Sequence, residues 1–337
     1  MNNNDKLHGL TIFRFVAAFY VFVFHCNIRF PVDAPKWIER FIQNGAIGMT
    51  FFFVLSGFVM AWSSRNGLRK DYLKARIARI YPAYLFMGVI TLPFIFEMDI
   101  KGILTSIFLF LIGMQAWIPQ SFQIWNFGGS WSVSVELFFY FIFPILFPII
   151  LIKPVRCLII SVFLSILIIP IAMTFSELNL FPSYYMIPIY RLPEFISGAA
   201  LRTLLLKNKW LPSSRIKFIL FTISIASLIL LSAKNNYAYL RMNIITLPMT
   251  LVIIYLLSIS YIVKNYLTSS LIYFGKISYS FYLMQLPIMM FFDRYRHLFI
   301  DYNPYVIWIT TFIINFAISV VSYHFIEERF SLKRRQG

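Results

Sequence analysis

Within the segment LTIFRFVAAFYVFVFHCNIRF (residues 10–30), two side chains can do chemistry, Arg14 and His25. A guanidinium binds phosphate or carboxylate through paired N–H donors, and an imidazole can accept a proton or attack a carbonyl carbon. The two lie eleven residues apart in an otherwise aliphatic and aromatic run. On an α-helix that spacing leaves them only about 20° apart around the axis and about 16 Å apart along it. They share a face, yet the separation is too long for a hydrogen bond, so Arg14 does not orient His25 directly. Singly, Arg14 reads as a residue snorkelling to lipid phosphates and His25 as a hydrogen-bonded interfacial histidine. Sharing one face, they read better as a polar stripe bordering a channel through a helix bundle.

Four other stretches carry similar groups. KARIARIYPAY sets Arg76 and Arg79 three apart, neighbours on one helical face, with Pro82 marking a kink or restart. That pair suits bidentate phosphate contacts as well as it suits a basic membrane anchor. FFFVLSGF puts Ser56 and Gly57 in mid-span, where small residues allow helices to approach closely. GGSWSVSVELFF carries Trp131, Ser132 and Glu136, a carboxylate that needs a partner inside a membrane. YRLPEFISG carries Arg191 and Glu194 at the spacing of an internal ion pair. The chain has no metal-ligand cluster, phosphate-binding glycine loop or nucleophile elbow. Cys26 and Cys157 read as small core residues.

The elements that must position these groups are membrane helices. The chain has 337 residues, 60% of them hydrophobic and only 13% charged, with a mean hydropathy of +0.75. A soluble protein of this size needs far more polar surface. Eleven apolar segments approach the length of a bilayer span, and continuous runs such as FIFPILFPIILI exclude an alternating β-barrel. The N-terminus lacks a cleavage site of the signal-peptide type, so the first span is expected to be retained. The net charge of +17 is better explained by basic cytoplasmic loops than by nucleic acid, which is not expected as a partner.

Those loops set the orientation. SSRNGLRKDYLKARIAR carries Arg65, Arg69, Lys70, Lys74, Arg76 and Arg79, and KPVR, KNKWLPSSRIK and the tail ERFSLKRRQG are also basic. All four face the cytoplasm only if the stretch from Ile80 to Trp117 crosses the membrane a net single time, one of its two apolar segments being re-entrant or interfacial. The expected fold is therefore one all-α polytopic domain over residues 1–337. It has about ten membrane-spanning helices, both termini in the cytoplasm, and the loops around residues 118–131 and 293–303 facing outward.

Six of these stretches occur together in the order of a known family. The chain resembles the acyltransferase-3 integral-membrane enzymes, many of which O-acetylate bacterial surface polysaccharides. The resemblance is to members without a fused periplasmic esterase-like domain. It rests on the Arg14…His25 spacing, the FFVLSGF element, Arg76 and Arg79 with Pro82, WSVSVELFFYFIFPIL, RLPEFISG and FGKISYSFYLMQLP, and runs over roughly residues 7 to 330. The chain departs from the family at Thr11, where an acidic residue is usual. Gln285 stands in place of a frequent His, and IEERF carries Arg329 in place of Pro.

The resemblance implies a bacterial inner-membrane enzyme that moves an acyl group, acetyl by family frequency, from cytoplasmic acyl-CoA to a hydroxyl of a cell-surface glycan or lipid-linked saccharide. No metal is implied, and acetyl-CoA is a substrate. On that reading Arg76 and Arg79, with Ser56, hold the donor at its cytoplasmic mouth, and Arg14 lies just inside. His25 acts as general base or covalent acyl carrier, and Glu136 orients or charge-pairs it. Trp131, Ser132, Arg191 and Glu194 are assigned to the acceptor. The competing class is a transporter or flippase of lipid-linked glycans, which embedded Arg and Glu would also serve, although internal repeats are lacking. A non-catalytic scaffold leaves the embedded charges unexplained.

Overall fold

The computed structural model describes residues 7–96, 98–177, 183–207, 211–230, 243–263 and 265–332, so parts of the basic stretches at 207–217 and 328–337 lie outside the described residues. In hydrocarbon every backbone polar group needs an internal partner, and an uninterrupted apolar run meets that demand as a helix. Helices accordingly dominate, and no strand occurs among the described residues. Among the described residues, five stretches are long and apolar enough to cross a membrane: His8–Arg29, Lys36–Ser63, Tyr72–Phe94, Phe127–Ile152 and Pro304–Phe330. Shorter apolar helices join them at Ile100–Ile112, Pro154–Ile168 and Asn243–Ile259. This is an all-α membrane protein.

In chain order the helices are α1 (His8–Arg29), α2 (Lys36–Gln43), α3 (Gly48–Ser63), α4 (Tyr72–Thr91), α5 (Ile100–Ile112) and α6 (Phe127–Ile152). They continue with α7 (Pro154–Glu177), α8 (Ser183–Met186), α9 (Pro188–Lys207), α10 (Ser214–Leu230), α11 (Asn243–Ile259), α12 (Tyr266–Arg294), α13 (Pro304–Ser322) and α14 (Glu328–Leu332). A π-helical turn, Tyr323–Glu327, links the last two. Of the kink or restart expected at Pro82, the restart does not occur. The proline sits inside a continuous α4, and the Tyr279 hydroxyl of α12 donates to the Ile80 carbonyl (2.9 Å) in the turn before it.

The region between α4 and α6 packs back against α4. The Tyr84 hydroxyl donates to the Phe110 carbonyl (2.9 Å), and Tyr81 binds the Leu111 carbonyl, so the end of α5 lies against the middle of α4. Gly113, at φ 66°, turns the chain there. Gln115 then donates to the Tyr84 hydroxyl (2.9 Å), while Trp125 and Asn126 reach Thr91 at the far end of α4 (2.8 and 2.9 Å). The chain thus reaches the middle of α4 at the end of α5 and comes back to the Thr91 end of α4 by Asn126. Its amide and indole donors are taken up by α4 and α6, the side-chain nitrogen of Gln115 by Tyr84 and Ser130 and those of Trp125 and Asn126 by Thr91.

Two close helix crossings frame the interior. Helices α3 and α9 meet glycine to glycine. A Cβ on Gly57 would lie 1.9 Å from the Phe195 carbonyl oxygen, and one on Gly198 would lie 1.9 Å from that of Val54. Helices α1 and α12 run parallel, touching where a Cβ on Gly275 would lie 1.9 Å from the Thr11 carbonyl oxygen and, at the other end, through the Arg29–Asp293 ion pair (2.7 Å). Helix α13 runs back along α12: Trp308 donates to the Phe30 carbonyl (2.9 Å), Asn315 to that of Phe281 (3.1 Å), and beyond it Glu327 accepts from Ser280 (3.0 Å).

Because backbone atoms fill the space a methyl would need, Gly57→Ala and Gly198→Ala must each push α3 and α9 apart. Each is expected to destabilise the bundle by about 1–3 kcal/mol. Thermal unfolding of the detergent-solubilised protein measures this, and a wild-type midpoint for both variants would contradict the packing.

Candidate active site

Two cavities lie along the polar face of α1. The first, about 100 Å³, collects side chains from five helices. Helix α1 supplies Arg14, α3 supplies Ser56, α4 supplies Arg76 and Arg79, α6 supplies Ser132, Glu136 and Tyr140, and α12 supplies Ser278, Tyr279 and Tyr282. The i, i+3 spacing of Arg76 and Arg79 and the i, i+4 spacing of Glu136 and Tyr140 turn each pair to one face. Arg76 binds the Ser63 hydroxyl and stacks over Tyr72 at 5.9 Å. Glu136 lies within electrostatic reach of Arg79, Arg14 and Arg76, with Tyr140 one turn further along α6. Glu327, from the π-helical turn, accepts from the Ser280 hydroxyl (3.0 Å) and faces Arg79 and Arg14. Three guanidiniums are thus offset by two carboxylates, which is what lets them lie inside a bundle.

The second cavity is larger, about 490 Å³, and contains His25. Its walls are largely aromatic and aliphatic, including Phe24, Phe122, Trp125, Trp131, Tyr185 and Met289. The loop expected to face outward supplies Phe122, Gln123, Trp125, Gly128 and Gly129. Arg29 and Asp293 also line it, paired with each other at 2.7 Å. The Nδ1 of His25 lies 3.3 Å from Oε1 of Gln285, and Nε2 of Gln285 donates to the Tyr282 carbonyl (2.8 Å). Met49 and Tyr282 border both cavities. The Tyr282 hydroxyl is 2.9 Å from the Ser132 hydroxyl and donates to the Gly129 carbonyl (3.1 Å), so its ring stands at the boundary. Helix α1 is continuous past both, so Arg14 and His25 keep their separation of about 16 Å.

Most residues singled out from the sequence come together here, but not all in the expected way. Arg14, Arg76, Arg79, Ser56 and Ser132 line the first cavity, and His25 and Trp131 the second. Glu136 was expected beside His25 and is not: it lines the arginine cavity, and the side-chain partner of His25 is Gln285. The reason is position along α6, whose start reaches the His25 cavity at Trp131 while Glu136, further along, has passed into the arginine cluster.

Arg191 and Glu194, expected at the acceptor, line neither cavity. They form a buried pair (3.0 Å) on α9, with Thr50 of α3 donating to Glu194 (2.9 Å). The Arg191 guanidinium stacks over Phe53 (5.0 Å) and Tyr185 (5.6 Å), rings that do form cavity walls, so the pair acts by holding those rings. Sequence reasoning missed Gln285 and Glu327 as site groups. Their signals were present as departures, Gln285 for His and the IEERF element, but their partners lie on helices distant in sequence.

The chain is thus a helical membrane bundle with paired arginines at one end of a polar stripe and a histidine at the other. An acyltransferase-domain family signature matches residues 7–324, and the chain belongs to that acyltransferase-3 family. It is similar to "Acyltransferase MdmB" of Streptomyces mycarofaciens, 34% identical over 164 residues. That match takes in 45% of this chain and 42% of the relative's length. No solved structure matches the chain.

If Arg191 and Glu194 hold the wall rather than touch substrate, removing one charge strands the other in the interior. Arg191→Met is expected to cost about 3–5 kcal/mol, and the double variant Arg191→Met/Glu194→Leu should recover most of it. Thermal unfolding distinguishes the two, and the folded double variant should keep its affinity for acceptor.

Proposed function

We propose that the protein transfers an acyl group, acetyl in its simplest form, from acyl-CoA to a hydroxyl of a cell-surface glycan or lipid-linked saccharide. The observation that carries this reading is the abutment of two unlike cavities on one helix, a narrow cationic one and a wider aromatic one containing His25, with Tyr282 and Met49 common to both. At about 100 Å³ the first is well below the ~300–1,000 Å³ of ordinary ligand sites. It suits the slender thioester arm of the donor, leaving the nucleotide phosphates at the mouth with Arg76 and Arg79. The second, about 490 Å³, suits one acceptor unit stacked against Trp131, Trp125 and Tyr185.

In the reaction His25 accepts the proton of the acceptor hydroxyl as that oxygen bonds to the thioester carbonyl carbon. The carbon–sulfur bond breaks, and the thiolate leaves with the proton returned by the imidazolium. In the covalent variant the imidazole attacks first and the hydroxyl then takes the acyl group from nitrogen. The basic end of the bundle faces the cytoplasm, where acyl-CoA is found, and the charge pattern assigns both termini to that side. The His25 end faces outward, in the inner membrane of a bacterium. Arg14 neutralises the donor's inner end, and Glu136 and Glu327 keep the three guanidiniums spaced when no donor is bound.

The test uses purified protein in liposomes with radiolabelled acetyl-CoA, following donor binding and thioester loss separately. His25→Ala is expected to bind donor and lose turnover by about 10²–10⁴-fold. Arg76→Ala/Arg79→Ala is expected to lose binding, about 1.5–3 kcal/mol per guanidinium. If native protein neither binds nor consumes the thioester, the reading falls and transport of a lipid-linked glycan becomes the better one.

A further inference from the structure

The contact between His25 and Gln285 decides which ring nitrogen reacts. The two ends of the Gln285 amide are told apart by their surroundings. A backbone carbonyl can only accept, so the amide end 2.8 Å from the Tyr282 oxygen is the NH₂ group. That leaves Oε1, an acceptor, 3.3 Å from Nδ1 of His25. A hydrogen bond forms there only if Nδ1 carries the proton.

We infer that Gln285 is a positioning residue that holds His25 as the Nδ1–H tautomer and presents Nε2 as the nitrogen that reacts.

Three features support this assignment. Gln285 is 2% exposed, on a helix tied to α1 on either side of the contact, by Gly275 against Thr11 and by Asp293 with Arg29. The amide therefore has little freedom to swing away. The carboxylate that shares the cavity with His25, Asp293, is held by Arg29 through two contacts, 2.7 and 2.9 Å, and does not compete for Nδ1. An amide, unlike a carboxylate, accepts this hydrogen bond without adding charge, so its influence is on ring orientation and tautomer. Free imidazole exchanges between tautomers, and only one of them offers its lone pair at Nε2.

The catalytic consequence rests on the function proposed above. Nε2 takes the hydroxyl proton while the acyl carbon–oxygen bond forms and the carbon–sulfur bond breaks, and it then returns that proton to the thiolate. In the covalent variant the same lone pair forms the bond to the acyl carbon. Either way, a ring with its proton on Nε2 is the wrong reagent.

The tautomer itself can be read without activity. The sequence has four histidines, so ring-¹⁵N-histidine protein in bilayers gives a nitrogen spectrum in which His25 is assigned by its loss in His25→Ala. Native protein should show a protonated Nδ1 and a bare Nε2 at His25. Gln285→Met keeps side-chain volume and removes the acceptor. It should release the ring toward the Nε2–H form and lower kcat about ten- to hundredfold, with KM for acetyl-CoA unchanged. Gln285→Glu restores an acceptor and should recover the Nδ1–H signature and part of the turnover. The inference is overturned if native His25 carries its proton on Nε2, or if Gln285→Met leaves both spectrum and kcat as they were. Should native protein consume no thioester at all, it is the proposed function that fails, while the spectrum still decides the tautomer.

Discussion

A guanidinium placed a turn or two inside an apolar helix has to be neutralised by the rest of the protein, because hydrocarbon offers it neither water nor counter-ion. Arg14 imposes that demand on this chain. Arg76 and Arg79 sharpen it by bringing two more positive charges to the same cavity. The answer comes from distant parts of the sequence, with Glu136 on α6 and Glu327 after α13 both turned onto the cluster. The demand thereby draws α1, α4, α6, α12 and the turn following α13 to one end of the bundle. The π-helical turn at Tyr323–Glu327 has a structural purpose here. Its wider spiral sends Glu327 inward to Ser280 while Glu328 points outward and pairs with His324 at 2.9 Å.

The other end of α1 obeys a different rule. Around His25 the walls are rings and methionines, and the two cavity-lining charges, Arg29 and Asp293, are spent on each other. The other polar groups at this end are mainly the imidazole, the Gln285 amide and the tyrosine hydroxyls. A cationic recess and a nearly neutral one are thus kept about 16 Å apart by a continuous helix, which is stiff on that scale. Tyr282 stands between them, its hydroxyl shared with α6 and its carbonyl with Gln285. One residue therefore touches the hydrogen-bonding of both sites.

Precision of this kind needs helices that cannot slide. In a membrane, association rests on close packing rather than on expulsion of water. The reciprocal glycines of α3 and α9 and the single glycine of α12 against α1 bring backbones into direct contact. Beside the first crossing, the Arg191–Glu194–Thr50 cluster locks α9 to α3 and steadies Phe53 and Tyr185, which face one cavity each. A buried ion pair at this place has its worth in geometry more than in net stability.

Much of this was legible in the residues alone. Hydropathy defined a helical membrane protein, and charge counting asked one of two apolar segments between Ile80 and Trp117 to turn back. Helical periodicity put Arg14 and His25 on one face and Arg76 beside Arg79, because angles within a helix follow from its 3.6-residue turn. Close approach at Gly57 followed from the absence of a side chain. The partners across helices were not legible. Glu136 belongs to the arginines and not to His25, Gln285 and Glu327 reach into the site, and Arg191 and Glu194 stand behind its wall. Each of those outcomes depends on where two helices far apart in sequence cross and how far along each the crossing falls. The repeat of one helix determines which way a side chain points, and only the packing of the whole bundle decides what it meets there.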